Sequence, residues 1–473
     1  MKKIHVLSLF VVLTLLVLSP NFRSVEAVSS GFSTPINLST NHGDSILPQM
    51  AVSGNDVYVL WNDNSTGKYG ILLSKSTDSG MTFGTPVDIS RNIGSSSSPQ
   101  FAVSGNDVYV VWQAKTTGKY QIIFAKSTDG GATFSTPVNI SSNSGDSSYP
   151  KIATSGNNVY VTWSFTVTNK DYDVLFTKST DGGATFEIPI NISNNLGDSG
   201  LPQMAVSGNN VYVTWENNGL GNFDVFVAKS TDNGNTFTSP VNISNNAAPS
   251  GAPQIVASGK DVYVSWMDRT PGNYEIFVAK SNDAGSTFSV PVNISNTSKD
   301  SGYQQIATFG NNIYIVWTET ILNKNYDVFF AKSTDGGMTF DTPVNISNNA
   351  GASGWAFVAA SNNIYVAWED DTPGNYDIFI AKSTDGGSTF GTPVNVSNTP
   401  EESAFIHMVD TNDSVYLVWQ EGALTQHEIL FTKSTTFVPE FGALAPLVLI
   451  VALISIIAIY TKTMTRLKIS YRQ

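Results

Sequence analysis

From Gly31 to Phe437 the chain alternates short apolar runs with short polar ones, and the apolar runs carry the period of a strand. Residues Leu201 to Gly208 read LPQMAVSG, a first strand. Asn210 to Asn217 read NVYVTWEN, a second strand rich in β-branched and aromatic residues. Asn222 to Ser230 read NFDVFVAKS and alternate in period two, a third strand, and Phe237 to Ser244 read FTSPVNIS, a fourth. Asn, Ser and Gly join one such unit to the next. The unit recurs at a spacing of about 51 residues, the signature of stacked supersecondary elements.

Tryptophan counts the units. Trp61, Trp112, Trp163, Trp215, Trp266, Trp317, Trp368 and Trp419 each close a second strand, so eight units are predicted. Four-stranded units repeated this often suit a β-propeller, in which radial repetition leaves only short protected edges. The ends support closure. Gly31 to Ser39, GFSTPINLS, is a fourth strand with nothing before it, and the last unit, ending at Phe437, lacks its fourth. The N-terminal strand is expected to complete the last blade. The prediction is an all-β fold, an eight-bladed propeller of four-stranded blades.

The turn between the third and fourth strands repeats most closely. STDGGATF at Ser179 to Phe186 has copies starting at Ser76, Ser127, Ser230, Ser281, Ser333 and Ser383, each preceded by Lys. A worn copy, KSTTF, ends at Phe437, where no chain continues through the turn. Asp in this phrase can accept backbone N–H groups, and the second Gly supplies positive φ. The phrase resembles the Asp-box of sialidases and related propellers. The resemblance implies structural roles for Asp78, Asp129, Asp181, Asp232, Asp283, Asp335 and Asp385.

The two ends add localisation. Lys2 and Lys3 precede an apolar run from about Val6 to Leu18, and Val25-Glu26-Ala27 offers a cleavage site, so residues 1–27 read as a signal peptide. Residues 28–437 form the propeller and 438–473 the tail. In the tail, Pro439-Glu440-Phe441-Gly442 precedes an apolar run from Ala443 to Tyr460, long enough for a transmembrane helix, with Lys462, Arg466, Lys468 and Arg472 behind it. This arrangement resembles the PEFG-type sorting signal of archaeal surface proteins, which implies an archaeosortase-like processing enzyme as a partner. A plain single-pass anchor is the alternative. Either way the repeats are expected on the extracellular face of the membrane.

Composition then narrows the chemistry. The net charge of −13 argues against nucleic acid as a partner, and the absence of Cys excludes disulfides and thiolate metal sites. Sialidases hold a substrate carboxylate with three arginines and use a Tyr nucleophile with a Glu. Here the repeats contain only Arg91 and Arg269, so no such triad can be assembled. His42, His407 and His427 lack metal-ligand spacing, and no cofactor is expected, with Ca²⁺ on an acidic rim as an alternative. Asn-x-Ser sequons at Asn37, Asn139, Asn191, Asn242, Asn293, Asn345 and Asn395 mark either a glycosylated rim or a strand-end turn.

The units cease to agree on the face opposite the Asp-boxes. Two residues after the Trp stand Asp63, Asp268, Glu319, Asp370 and Glu421, whereas units two, three and four have no acid there. If the protein is an enzyme, the candidate carboxylates are Asp268, Glu319, Glu369, Asp370 and Glu421. At the starts of the first strands, Tyr303, Trp355 and Phe405 precede Gln305, Phe357 and His407. Tyr303, Trp355, Phe357, Phe405 and His407 are therefore the candidate ligand-binding residues, because aromatic faces suit the apolar faces of sugar rings. The competing readings are that the acids solvate strand ends and that the aromatics pack between blades. A surface-anchored protein that binds glycans or builds the envelope is expected, with an exo-glycosidase as the alternative. Acids opening the third strand in six units, Asp173, Asp224, Glu275, Asp327, Asp377 and Glu428, read as scaffold.

Overall fold

The computed structural model describes residues 31–435 apart from 92, 117, 142–144, 168–170, 195–196, 322–324, 412–413 and 424–425. The expected signal peptide and the sorting tail with its transmembrane run lie outside the described residues. Among the described residues no helix is long and apolar enough to cross a membrane. The described residues form thirty-two strands, β1 to β32 in chain order, in eight four-stranded antiparallel sheets. Seven sheets are built from consecutive strands. The eighth is built from β30 (Ser403–Thr411), β31 (Ser414–Ala423), β32 (Gln426–Ser434) and β1 (Ile36–Asn37), in the order β1-β32-β31-β30, so that β1 pairs with β32. Its register is Ile36 opposite Phe431 and Asn37 opposite Leu430. The ring is closed by the N-terminal strand, as expected.

The blades pack because each second and third strand is apolar on both faces. Val211, Tyr212, Val213 and Trp215 are all fully buried, and the equivalent residues of the other blades follow suit. Side chains that alternate along such a strand serve two different neighbours. Tyr212 enters the cluster shared with the following blade, while Val211, Val213 and Trp215 enter the cluster shared with the preceding one. Eight such clusters fill the eight gaps between blades. The one between blades eight and one joins Leu38, Val57, Val59 and Trp61 to Tyr416, Val418 and Phe431. The hydrophobic core is thus a circle of inter-blade layers.

The first strands touch one another round the circle and line the axis. The fourth strands are at the outer edge and are shorter than expected. Where eight residues were predicted in blade four, only Val241–Asn242 pair. Pro240 just before them has no N–H to give, and Pro recurs at this place in the other fourth strands, which confines pairing to the end of each run.

The Asp-boxes close the third-to-fourth turns. Asp181 Oδ1 accepts the backbone N–H of Ala184 and Thr185 at 2.9 Å each, and its Oδ2 accepts the Thr185 hydroxyl at 2.7 Å. Ser179 Oγ takes the N–H of Gly183, whose φ of 75° only glycine adopts at no cost. These bonds hold the Asp181 carboxyl well below the usual carboxylate range, the Thr185 hydroxyl contributing most. The Lys before the phrase acts between blades at Lys126, Lys178, Lys229, Lys332 and Lys433, while Lys75 and Lys280 pair with Asp56 and Asp261 of their own blades. Lys126 Nζ donates to Gly182 O of the next blade at 2.8 Å, and Lys433 donates to Ser79 O across the seam.

The sequons serve the strand-end turn in this structure. Asn345 Oδ1 accepts the N–H of Asn348 at 2.8 Å and its Nδ2 donates to Asp327 at 2.7 Å. Ser347 Oγ takes the N–H of Val328. The third-strand acids therefore do act as scaffold: Asp377 likewise accepts Asn395 Nδ2 at 2.7 Å and Ser397 Oγ at 2.8 Å.

Candidate functional site

The first strand of every blade carries a bulge near its start. In blade six the register slips between Gly302 and Gln305, and in blade seven between Gly354 and Phe357. The bulge forces one residue per blade to positive φ. These are Leu47, Ser98, Tyr149, Leu201, Ala252, Tyr303, Trp355 and Phe405, at φ of 46° to 55°. None is Gly or Asn, the residues that tolerate this conformation best. Because the first strands surround the axis and their starts face away from the Asp-boxes, the eight side chains ring one mouth of the axial channel.

Three consecutive members make an aromatic arc. Tyr303, Trp355 and Phe405 are 60%, 50% and 47% exposed. The Tyr303 and Trp355 rings lie 5.4 Å apart, tilted by 39°. Each ring stands partly outward, and Trp355 also meets Tyr303 of the neighbouring blade. Beneath Tyr303 and Trp355 is a recess of about 170 Å³, lined also by Gln254, Gln304, Gln305 and Phe357. Phe357 and His407 sit one step deeper on their strands, with ring centroids 5.4 Å apart. Burial drives the His407 imidazole down to about 4, so it is neutral at physiological pH.

Gln304 escaped the sequence reading. It occupies the place that Pro holds in five other blades, and its Nε2 reaches back to Ala252 O at 2.7 Å. Its Oε1 is buried and has no hydrogen-bond partner among the described residues. The signal was present in the repeats themselves as a lone Pro-to-Gln change.

The carboxylates lie elsewhere than expected. Asp268 and Asp370 are buried and Glu421 is half-buried; all three turn inward as latches. Asp370 Oδ2 accepts Asn349 Nδ2 at 2.6 Å, Ser353 Oγ at 2.7 Å and Trp368 Nε1 at 2.9 Å, and its Oδ1 accepts the N–H of Thr372 at 2.9 Å. Asp268 repeats the pattern with Asn246, Ser250, Trp266 and Thr270. Glu421 accepts Trp419 Nε1 and Ser403 Oγ, each at 3.1 Å. Asp63 holds Asn41 and Ser45. Asn217 binds Ser199 Oγ from the same position, so the latch does not require a charge. Glu319 is buried, and that burial pushes its carboxyl up.

Glu369 is different. Its Oε1 accepts the backbone N–H of Phe405 in the next blade at 2.6 Å. Gln113 to Tyr149, Glu216 to Ala252 and Gln420 to Leu47 repeat the contact at 3.1 Å, so this side chain pins the bulge. Burial pushes the Glu369 carboxyl up to about 7 against the opposing effect of the Phe405 N–H, and it raises Glu216 as well. The arginines stay apart from the arc. Arg91 donates to Phe134 O at 2.6 Å, and Arg269 lies over the Tyr274 ring. Among the described residues no group of three or more His, Asp or Glu stands in a metal-holding arrangement.

No protein-family model matches this chain, and no curated protein matches it. Several solved structures are similar to it in shape. Polysaccharide lyase Uly1 gives a TM-score of 0.48 at 9% identity, over 74% of this chain and 91% of that one. A PL25 ulvan lyase gives 0.49 at 11%, over 77% and 96%. The intramolecular trans-sialidase from Ruminococcus gnavus, in complex with oseltamivir carboxylate, gives 0.39 at 13%, over 71% and 93%. The propeller assignment rests on the strand pairing of this chain itself.

Proposed function

We propose that this chain is a glycan-binding propeller displayed at the cell surface, and that it holds saccharide over the mouth of its axial channel without turning it over. The arc of Tyr303, Trp355 and Phe405 carries the reading. Each ring is held outward at a positive φ that costs a non-glycine residue about 1–2 kcal/mol, and large apolar side chains stand there instead of Gly or Asn. Rings exposed in this way offer flat apolar faces to sugar C–H groups, and the half-buried Gln254 and Gln305 offer amides to hydroxyl edges. The signal-peptide pattern and the PEFG-type tail support display outside the membrane, with envelope glycans as partners and an archaeosortase-like enzyme acting on the tail.

The alternative, a glycoside hydrolase, has one observation in its favour. Glu369 stands behind Phe405 with its carboxyl raised to about 7, a value suited to a general acid. Hydrolysis needs a second carboxyl facing the same sugar, and the described residues lining the recess include none. A glycan array on the purified full chain tests the proposal. Binding of neutral glycans without sugar release, lost in Trp355→Ala, is the expected result. Release of sugar that Glu369→Gln abolishes would replace the binding reading with the hydrolase.

A further inference from the structure

A larger cleft lies between blades two and three, four blades round the mouth from the arc's Trp355. It has a volume of about 590 Å³ and is lined by Lys115, Lys119, Tyr120, Asp146, Tyr149 and Tyr172, among others. That volume falls in the range of small-ligand sites. Strands β7 (Asp107–Thr116) and β8 (Lys119–Ser127) build one wall. Their pairing runs on to Lys115 opposite Tyr120 and Thr116 opposite Lys119. In blade four the same hairpin stops at Asn217 opposite Asp224.

The charge of blade two is rewritten while its structure is kept. At the latch position Ala114 replaces the acid of blades one, five, six, seven and eight. At the start of the third strand Gln121 replaces the usual acid. Gln121 Oε1 still accepts Ser141 Oγ at 2.9 Å, the bond that Asp377 makes with Ser397, so the scaffold contact survives without the negative charge. Next to these two neutralised positions stand Lys115 and Lys119. Lys119 is paired with Asp146 at 2.9 Å. Lys115 is exposed, lies 5.7 Å from the Tyr120 ring centroid and has no carboxylate at ion-pair distance among the described residues. Tyr149 is this cleft's bulge residue, from blade three, and is 53% exposed.

In a chain of net charge −13, blade two lacks acids at the buried positions Ala114 and Gln121, and the cleft sets the exposed Lys115 beside three tyrosines and the Lys119–Asp146 pair. We infer that the cleft binds an anionic sugar ring, a uronate or a monosulfated residue, with Lys115 on the anion and Tyr149 against the ring. A lysine ammonium suits either anion as a compact point charge. The site is separate from the recess of the proposed function and does not depend on it.

Titration calorimetry of the purified full chain with a uronate oligosaccharide, a monosulfated oligosaccharide and a neutral one tests this. The wild-type chain should bind at least one anionic probe, and Lys115→Ala and Tyr149→Ala should each weaken that binding tenfold or more. Binding is measured in the Trp355→Ala background, which removes the recess, and raising the salt should weaken it. Preference between the two anionic probes assigns the charged group. In that background, equal affinity for the neutral probe or unchanged binding in Lys115→Ala would each overturn the inference.

Discussion

Replacing Glu369 by Gln should stabilise the propeller at neutral and alkaline pH and leave it unchanged in acid. Glu369 is 6% exposed and accepts one backbone N–H, which an amide oxygen can accept equally well. Its carboxyl is raised from an ordinary 4.5 to about 7, with burial as the cause. A raised folded-state value means that the native protein holds the proton more tightly than the unfolded chain does. The native state therefore bears no penalty below about pH 4.5 and loses stability as pH climbs towards 7. At about 1.4 kcal/mol per unit the penalty reaches roughly 3 kcal/mol at pH 8. Taking about 2.1 cal/mol/K per residue over a ring of roughly 400 residues, that is ~4 °C in Tm. Intrinsic fluorescence reports the melt well, because eight of the nine tryptophans are fully buried. Melting the wild-type and Glu369→Gln chains at about pH 4 and about pH 8 cancels every group they share. A Glu369→Gln chain that melts at or below wild type at the higher pH would refute the assignment of a buried, proton-holding carboxyl.

Three further outcomes follow from the geometry. Asp370→Ala should cost about 3 kcal/mol or more by denaturant unfolding, because Asn349, Ser353, Trp368 and the Thr372 N–H lose a shared buried acceptor; Asp370→Asn, which keeps one acceptor oxygen, should cost less. Leu38→Ala should cost about 2–4 kcal/mol, because Leu38 fills the seam between blades eight and one, whereas Ile188→Ala on the exposed rim should change nothing. Trp355→Asn should leave stability unchanged or raise it by up to about 1 kcal/mol, since Asn tolerates φ of 46°, while binding of neutral glycans disappears; a large fall in Tm would show that the indole packs the blade and is not held out for a ligand.

The sequence disclosed what repetition controls. Eight tryptophans gave the blade number, and the unmatched ends Gly31–Ser39 and Phe437 gave the closing strand, because a propeller repeats one hydrogen-bonding pattern eight times. It also located Tyr303, Trp355 and Phe405 on one face. It misjudged the acids after the tryptophans, because a carboxylate at a strand end looks the same whether it meets water or four buried donors. Only the fold brings Asn349 and Ser353 to Asp370. It missed the lysine cleft for a related reason. Tyr149, Lys115 and Asp146 belong to two different repeats, and their meeting is set by the bulge and the lengthened hairpin. The pattern within each repeat was visible, but contacts across repeats were not.

The bulge at the head of each first strand has an evolutionary consequence. Its backbone is secured from behind, by a side chain of the preceding blade in four of the eight cases, and its own side chain bears on no core cluster. Each of the eight positions behaves like a tool seat on a turret. A mutation there exchanges the tool without unseating the ring, and duplication of a blade delivers a new seat already bored. The side chain at each seat can therefore change one blade at a time while the layers between blades stay intact, and related chains should differ most at residues 47, 98, 149, 201, 252, 303, 355 and 405.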